Sequence, residues 1–195
     1  METWIALIGF SIASSVTPGP NNVLLWASGA SFGLRRTLPH VAGTALGIGA
    51  MALVVTAGSS VVAAAIPGLA TLMKIGGSAY LLYLAVRVAR SGTLTRGESA
   101  QPLGLLGAAG FQALNPKAWI FAFGAVATFR SPELPALVGG VVVALTMMVV
   151  IVPTAILWAG AGGALERLVT RPDAQRAVGL GLAALLVATI VLVWI

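Results

Sequence analysis

The sequence predicts an all-α membrane protein, with six transmembrane helices forming two inverted three-helix repeats and helices 1 and 4 broken near mid-membrane. Three observations predict it. Hydrophobic residues fill 58% of the 195 positions and charged residues only 8%, at a mean hydropathy of +1.01. A soluble domain needs about a quarter charged residues to cover its surface, so this chain takes a bilayer as its solvent. The apolar residues fall into six long stretches, and Pro18 and Pro116 interrupt two of them, 98 positions apart, half the chain.

A hydrocarbon core of about 30 Å takes roughly 20 apolar residues in a helix. The stretches that meet this are Trp4–Ala30, His40–Ile66, Leu69–Val88, Leu103–Phe129, Pro135–Gly163 and Gln175–Trp194. Turn residues punctuate the segments between them: "SFGLRRTLP", "IPG", "RSGTLTRGESAQP", "RSPEL" and "ERLVTRPDA". The opening "METWIALIGF" lacks a basic leader and reads as a retained first span, not a signal peptide. Residues 1–195 thus form a single transmembrane domain: repeat 1 over 1–90, a linker over 91–102 and repeat 2 over 103–195.

Sidedness follows from the connectors. One side collects Arg35, Arg36, Arg87, Arg90, Arg96, Arg167, Arg171 and Arg176, whereas the other holds Arg130 and, if it surfaces there, Lys74. Basic residues mark the cytoplasmic side, which leaves both termini outside. The net charge of +6 is scattered over these connectors and builds no basic face, so nucleic acid is not a partner. With no cysteine in the chain, disulfides and thiolate metal sites are excluded.

Aligning Pro18 with Pro116 lays Val16-Thr17-Pro18 over Leu114-Asn115-Pro116, with apolar helix following in both. "KIGGSAYLL" from Lys74 similarly lies near "RAVGLGLAAL" from Arg176. A repeat of three spans reverses orientation, so the halves are inverted. Each proline lies about 20 Å along its span, near the midplane. A proline frees the carbonyl four residues back, and in hydrocarbon such a group must face protein or a wet cavity. Each break also starts a half-helix with a partial positive charge at its N-terminus. Broken helices at matching positions of inverted halves mark a transporter's substrate site. Thr17, Pro18, Gly19, Pro20, Asn21 and Asn22 make one wall of that site, and Asn115, Pro116 and Lys117 the other.

Lys117 sits near mid-span, where a lysine costs about 2.5–3.5 kcal/mol on insertion scales. All five acids (Glu2, Glu98, Glu133, Glu166 and Asp173) lie in loops or at ends. Its partner is therefore backbone carbonyl, water or the anionic group of a ligand. Lys74 is about one turn inside the outer boundary, where snorkelling explains it as well as a site does, and Tyr80 could face the same cavity. His40, the only histidine, opens the second span at the cytoplasmic interface; it is a bystander there unless it carries a coupling proton. Gly29/Gly33, Gly43/Gly47 and Gly76-Gly77 have the spacing of close helix packing. Such faces would also allow a homodimer.

"TPGPNN", "KIGGSAYLLYLAVR" and "NPKAW" resemble the signature segments of the LysE/RhtB superfamily of amino-acid exporters, and the resemblance runs over essentially the whole chain. It implies an exporter in the bacterial inner membrane that moves amino acids out of the cytoplasm, driven by the proton motive force, without a cofactor. The matching site residues are Pro18, Gly19, Pro20 and Asn21, then Lys74, Gly77 and Tyr80, then Asn115, Pro116 and Lys117. An exporter of basic amino acids should place an acid near the site, and none is found here, which favours a neutral substrate of the threonine/homoserine type. Its carboxylate would meet Lys117 and the two half-helix N-termini, and its ammonium the freed carbonyls with the side-chain oxygens of Asn21 and Asn115. The rivals are a passive channel or structural membrane scaffold and, with no nucleophile or intramembrane acid to work with, a membrane-embedded enzyme.

Overall fold

A computed structural model describes residues 2–58, 71, 74–83, 85–86, 88–89, 101–169 and 171–194. The described elements are helical, with no strand among them: α1 (Glu2–Val16), α2 (Pro20–Phe32), α3 (Leu34–Ala57), α4 (Leu105–Leu114), α5 (Pro116–Phe129), α6 (Ala136–Leu168) and α7 (Pro172–Trp194). Residues 74–83 form a further helical stretch.

Both interruptions fall where the prolines predicted them. The first covers Thr17, Pro18 and Gly19, and α2 starts at Pro20, two residues later than a start at Pro18. The second is Asn115 alone, with Pro116 as the first residue of α5. Proline suits the first helical position because its missing N–H would have no partner there. Among the described residues, α3, α6 and α7 contain windows long and apolar enough to cross a membrane alone. The half-helices α1, α2, α4 and α5 are too short singly, and join in pairs across the breaks.

The expected connector "SFGLRRTLP" is corrected: only Gly33 is outside a helix there. Its φ of 76° lies in the left-handed region, which lets α2 turn directly into α3. The second span therefore opens at Leu34, and His40 lies about 9 Å inside it. Likewise α6 runs past Gly163 to Leu168, and Pro172 already starts α7. The expected linker 91–102 lies outside the described residues except for its last two, as do the end of the second span and part of the third.

The core forms two apolar clusters. One joins α1, α3, α5 and α6 through Leu7, Ile48, Phe121 and Met147; the other joins α2, α7 and the 74–83 stretch through Val23, Leu81 and Leu186. Glycine brings backbones together between them. A Cβ at Gly43 would strike the Leu105 carbonyl of α4, and one at Gly162 the Trp26 carbonyl of α2. Such crossings are how helices pack in lipid, where van der Waals contact does most of the holding. Gly160, two residues from Gly162 on α6, has open space where its Cβ would be.

That pair predicts opposite outcomes on one helix. Gly162→Ala should destabilise the protein by about 1–3 kcal/mol, because the backbone of α2 cannot yield. Gly160→Ala should be neutral or stabilise it by up to about 1 kcal/mol. Thermal unfolding in detergent, followed by tryptophan fluorescence, compares them.

Candidate functional site

The first break collects donors. Asn22 Nδ2, one turn into α2, reaches back to the Ser15 and Thr17 carbonyls, each at 2.8 Å. The Thr17 hydroxyl turns onto the Ala13 and Ser14 carbonyls at 3.0 and 2.9 Å. From the other break, Lys117 Nζ donates to the Thr17 carbonyl, to Thr17 Oγ1 at 3.0 Å and to the Pro18 carbonyl at 3.2 Å. Thr189 of α7 also donates to the Pro18 carbonyl, at 3.2 Å. The lysine stem crosses Gly19, where a Cβ would lie 2.8 Å from Lys117 Cδ. All three ammonium protons thus have oxygen partners. Backbone carbonyl is the partner found, of the three that the sequence left open, and the cation sits at the negative end of α1.

The second break is capped from within. Asn115 Oδ1 accepts from Lys117 N at 3.2 Å, the arrangement of an N-cap. The carbonyl of Ala113 takes the indole N–H of Trp119 at 2.9 Å. α2 begins differently: its N-cap is Gly19, without a side chain to accept. The N-terminus of α2 is therefore the open one, and that of α5 is closed by its own asparagine.

A buried amide chain links the breaks. Asn115 Nδ2 donates to Gln112 Oε1 at 3.4 Å, and Gln112 Nε2 donates to Asn21 Oδ1 at 2.8 Å and to the Ala108 carbonyl at 3.1 Å. The two backbone contacts, at Lys117 N and Ala108 O, set which end of each amide is oxygen. Asn21 Oδ1 also meets Thr44 Oγ1 at 3.2 Å and His40 Nε2 at 3.3 Å. An oxygen that only accepts assigns the imidazole proton to Nε2, and the buried Nδ1 is left without a partner. His40 is 1% exposed, so the interfacial bystander expected from the sequence is corrected: α3 starts six residues earlier and carries the ring down onto Asn21.

These groups surround a cavity of about 50 Å³ between α1, α2, α3, α4, α5 and α6. At the ~10–15 Å³ that each water requires, it holds a few waters. Its polar lining includes Ser14, Asn21, Asn22, Thr44, Gln112, Asn115 and Lys117, its apolar side Ile48, Phe121 and Ile151, and among the described residues no acid is in the lining. Gly19 and Pro20 also border it.

The remaining sequence candidates lie elsewhere. Gly77 packs on the ring of Pro116. Tyr80 rests against Tyr83 and Phe111 at 6.3 and 5.5 Å between ring centroids. Lys74 Nζ stands 5.7 Å from the ring centre of Trp194. None of the three borders the cavity. The side-chain oxygens of Asn21 and Asn115, expected to hold an ammonium, are both occupied by protein donors. Sequence reasoning passed over Gln112 and Thr44. Gln112 stands one turn before Asn115 in "FQALNPK", and Thr44 is four residues from His40, so helical spacing was the signal available for each.

A cavity edged with polar side chains where two interrupted helices meet, in an apolar all-helical chain, is the architecture of a polytopic membrane transport protein. The model of the LysE type translocators matches residues 12–193, and the chain belongs to that family. The cysteine/O-acetylserine efflux protein of Escherichia coli (strain K12) is 31% identical over 160 residues, 82% of each chain. Proteins of the same description from Shigella sonnei (strain Ss046) and Shigella flexneri align to the same extent. No solved structure matches the chain.

Asn21→Leu removes the acceptor shared by His40, Thr44 and Gln112. We expect a loss of about 2 kcal/mol or more, since buried donors are left unpaired. A denaturation series in detergent measures it; an unchanged melting temperature would mean that the amide chain does not hold the breaks together.

Proposed function

We propose that this protein is a secondary active exporter of small neutral amino acids, working by alternating access around the cavity between the two breaks. The proposal includes six spans in two inverted repeats (1–90 and 103–195), joined by 91–102, with both termini outside. The observation that carries it is the tie of Lys117, from one break, to the freed carbonyls of the other, across a cavity without an acid. Family membership supports export, and the efflux proteins aligned above are named for cysteine and O-acetylserine, both neutral α-amino acids with short polar side chains. The distribution of the arginines supports the orientation.

The geometry suggests an exchange of partners. The substrate carboxylate draws Lys117 Nζ away and also faces the uncapped N-terminus of α2. Its ammonium takes over the Thr17 and Pro18 carbonyls that the lysine leaves. The zwitterion thus replaces one internal ion–dipole contact with two of its own, and the two halves, no longer pinned by the lysine, rock to release it outside. With no carboxylate in the lining, a second positive charge on a lysine or arginine substrate would go unpaired.

Counterflow in proteoliposomes tests the reading, with L-serine, O-acetylserine and L-lysine as probes. Transient accumulation is expected for the first two and none for lysine. Loss of a charge-assisted contact should lower the Lys117→Met rate by about 10–100-fold in protein that is shown to be folded. A wild-type rate for Lys117→Met removes the site assignment, and silence across the panel removes amino-acid export. Flux without counterflow would favour the channel.

His40 carries the coupling proton in this reading, because it is the titratable ring in direct contact with Asn21. Protonation makes both its nitrogens donors and gives Nδ1 a need for an acceptor, which biases the packing around Asn21. His40→Gln should keep counterflow, which needs no net coupling, and lose uphill export driven by a pH gradient. Gradient-driven accumulation retained in His40→Gln would assign coupling to another group.

A further inference from the structure

A second cavity lies beyond the first along the same three helices. It has a volume of about 600 Å³ and is bordered by Trp4 and Leu7 of α1, Thr128 near the end of α5, Arg130 and Glu133 after it, and Val142 of α6. The inner cavity uses Ser14 of α1, Phe121 of α5 and Ile151 of α6. On α1 the two are seven residues apart, about 10 Å. A plug from the first core cluster fills the gap, with Leu7, Ala125 and Met147 buried in it.

Two features of this region are unexplained by packing alone. Ser11 is 0% exposed and shares the α1 face of Leu7 and Ser14, yet its hydroxyl has no hydrogen-bond partner. A buried hydroxyl without a partner asks for a reason, and this one lies on the line between the two cavities. The second feature is the pair of charges. Arg130 and Glu133 border one cavity, and among the described residues the ion pair found is Arg171–Asp173 instead. Gly139 of α6 leaves room for the arginine stem, since a Cβ there would meet Arg130 Cγ at 3.0 Å. The cavity therefore offers one cation and one anion, together with an aromatic wall from Trp4.

We propose that the outer cavity is a second, exit-side binding site for an α-amino acid zwitterion, with Arg130 receiving its carboxylate and Glu133 its ammonium. The exit-side orientation rests on the export reading above; the binding chemistry does not. A substrate leaving the inner cavity passes along the Ser14–Ser11–Leu7 face of α1, where the Ser11 hydroxyl offers a hydrogen bond inside an otherwise apolar barrier. The outer site holds both charges of the zwitterion at once, whereas the inner site holds them by displacing Lys117.

Equilibrium binding of L-serine to the purified full chain in nanodiscs, read from Trp4 fluorescence, tests this. The Trp4 contribution is the signal lost in Trp4→Phe. The L-serine concentration at half response should rise by about tenfold or more in Arg130→Gln and in Glu133→Gln, and change by less than about threefold in Lys117→Met. Arg130→Lys, which retains the charge, should bind more tightly than Arg130→Gln and shows that the arginine variants fold. A Trp4 response that is absent, that survives both neutral substitutions, or that disappears in Lys117→Met overturns the outer site. If an Arg130-dependent response persists while wild-type protein shows no counterflow with any neutral amino acid, the export reading falls and the outer site stands.

Discussion

The contact between Lys117 and the carbonyls of Thr17 and Pro18 is what the rest of this arrangement depends on. Interrupting a membrane helix strands carbonyls at the end of its first half, and hydrocarbon offers them no donor. A lysine in mid-span is a second difficulty of the same size, since its ammonium finds no carboxylate in the chain's apolar segments. Each resolves the other. The ammonium satisfies oxygens that the break exposes, and α1 presents the lysine with the negative end of its dipole. Close the break and the ammonium loses its oxygen partners; remove the lysine and the Thr17 and Pro18 carbonyls keep only the Asn22 and Thr189 donors.

The remaining contacts around the breaks support that one. Asn22 folds back to share the Thr17 carbonyl with the lysine, and Thr189 approaches Pro18 from α7. Asn115 caps α5 and in doing so orients the residue that bears the ammonium. Gly19 then has two roles: it leaves space for the lysine stem, and, lacking a side-chain acceptor, it leaves the start of α2 uncapped. The asymmetry between the two half-helix ends therefore follows from one glycine facing one asparagine.

The breaks, their spacing and the isolation of Lys117 were legible in the sequence because prolines recur at matching depths in the two halves, whereas Pro153 alone leaves α6 unbroken. Proline in mid-span and a cation without a local acid stand out against an apolar background. The depth of His40 was not legible. It depended on where α3 begins, and a single glycine at positive φ replaced what read as a nine-residue connector. Gln112 and Thr44 were passed over because their helical spacing from Asn115 and His40 gives no partner, and here the partner, Asn21, lies 91 and 23 positions away. That Tyr80 and Lys74 stand away from the inner cavity was not legible for the related reason that helical spacing tells which residues share a face, not what that face meets. Tyr80 meets the ring of Phe111.

The amide chain from Lys117 N through Asn115 and Gln112 to Asn21 has a direction. Every link donates the same way, and backbone groups that cannot turn over fix it at two points, Lys117 N at one end and the Ala108 carbonyl at Gln112. Rotating one amide alone would set oxygen against oxygen on one side and nitrogen against nitrogen on the other. The three side chains therefore hold their orientation or surrender it together. A chain of this kind behaves as a latch, and one that spans both helix breaks couples their movements without any charge changing place.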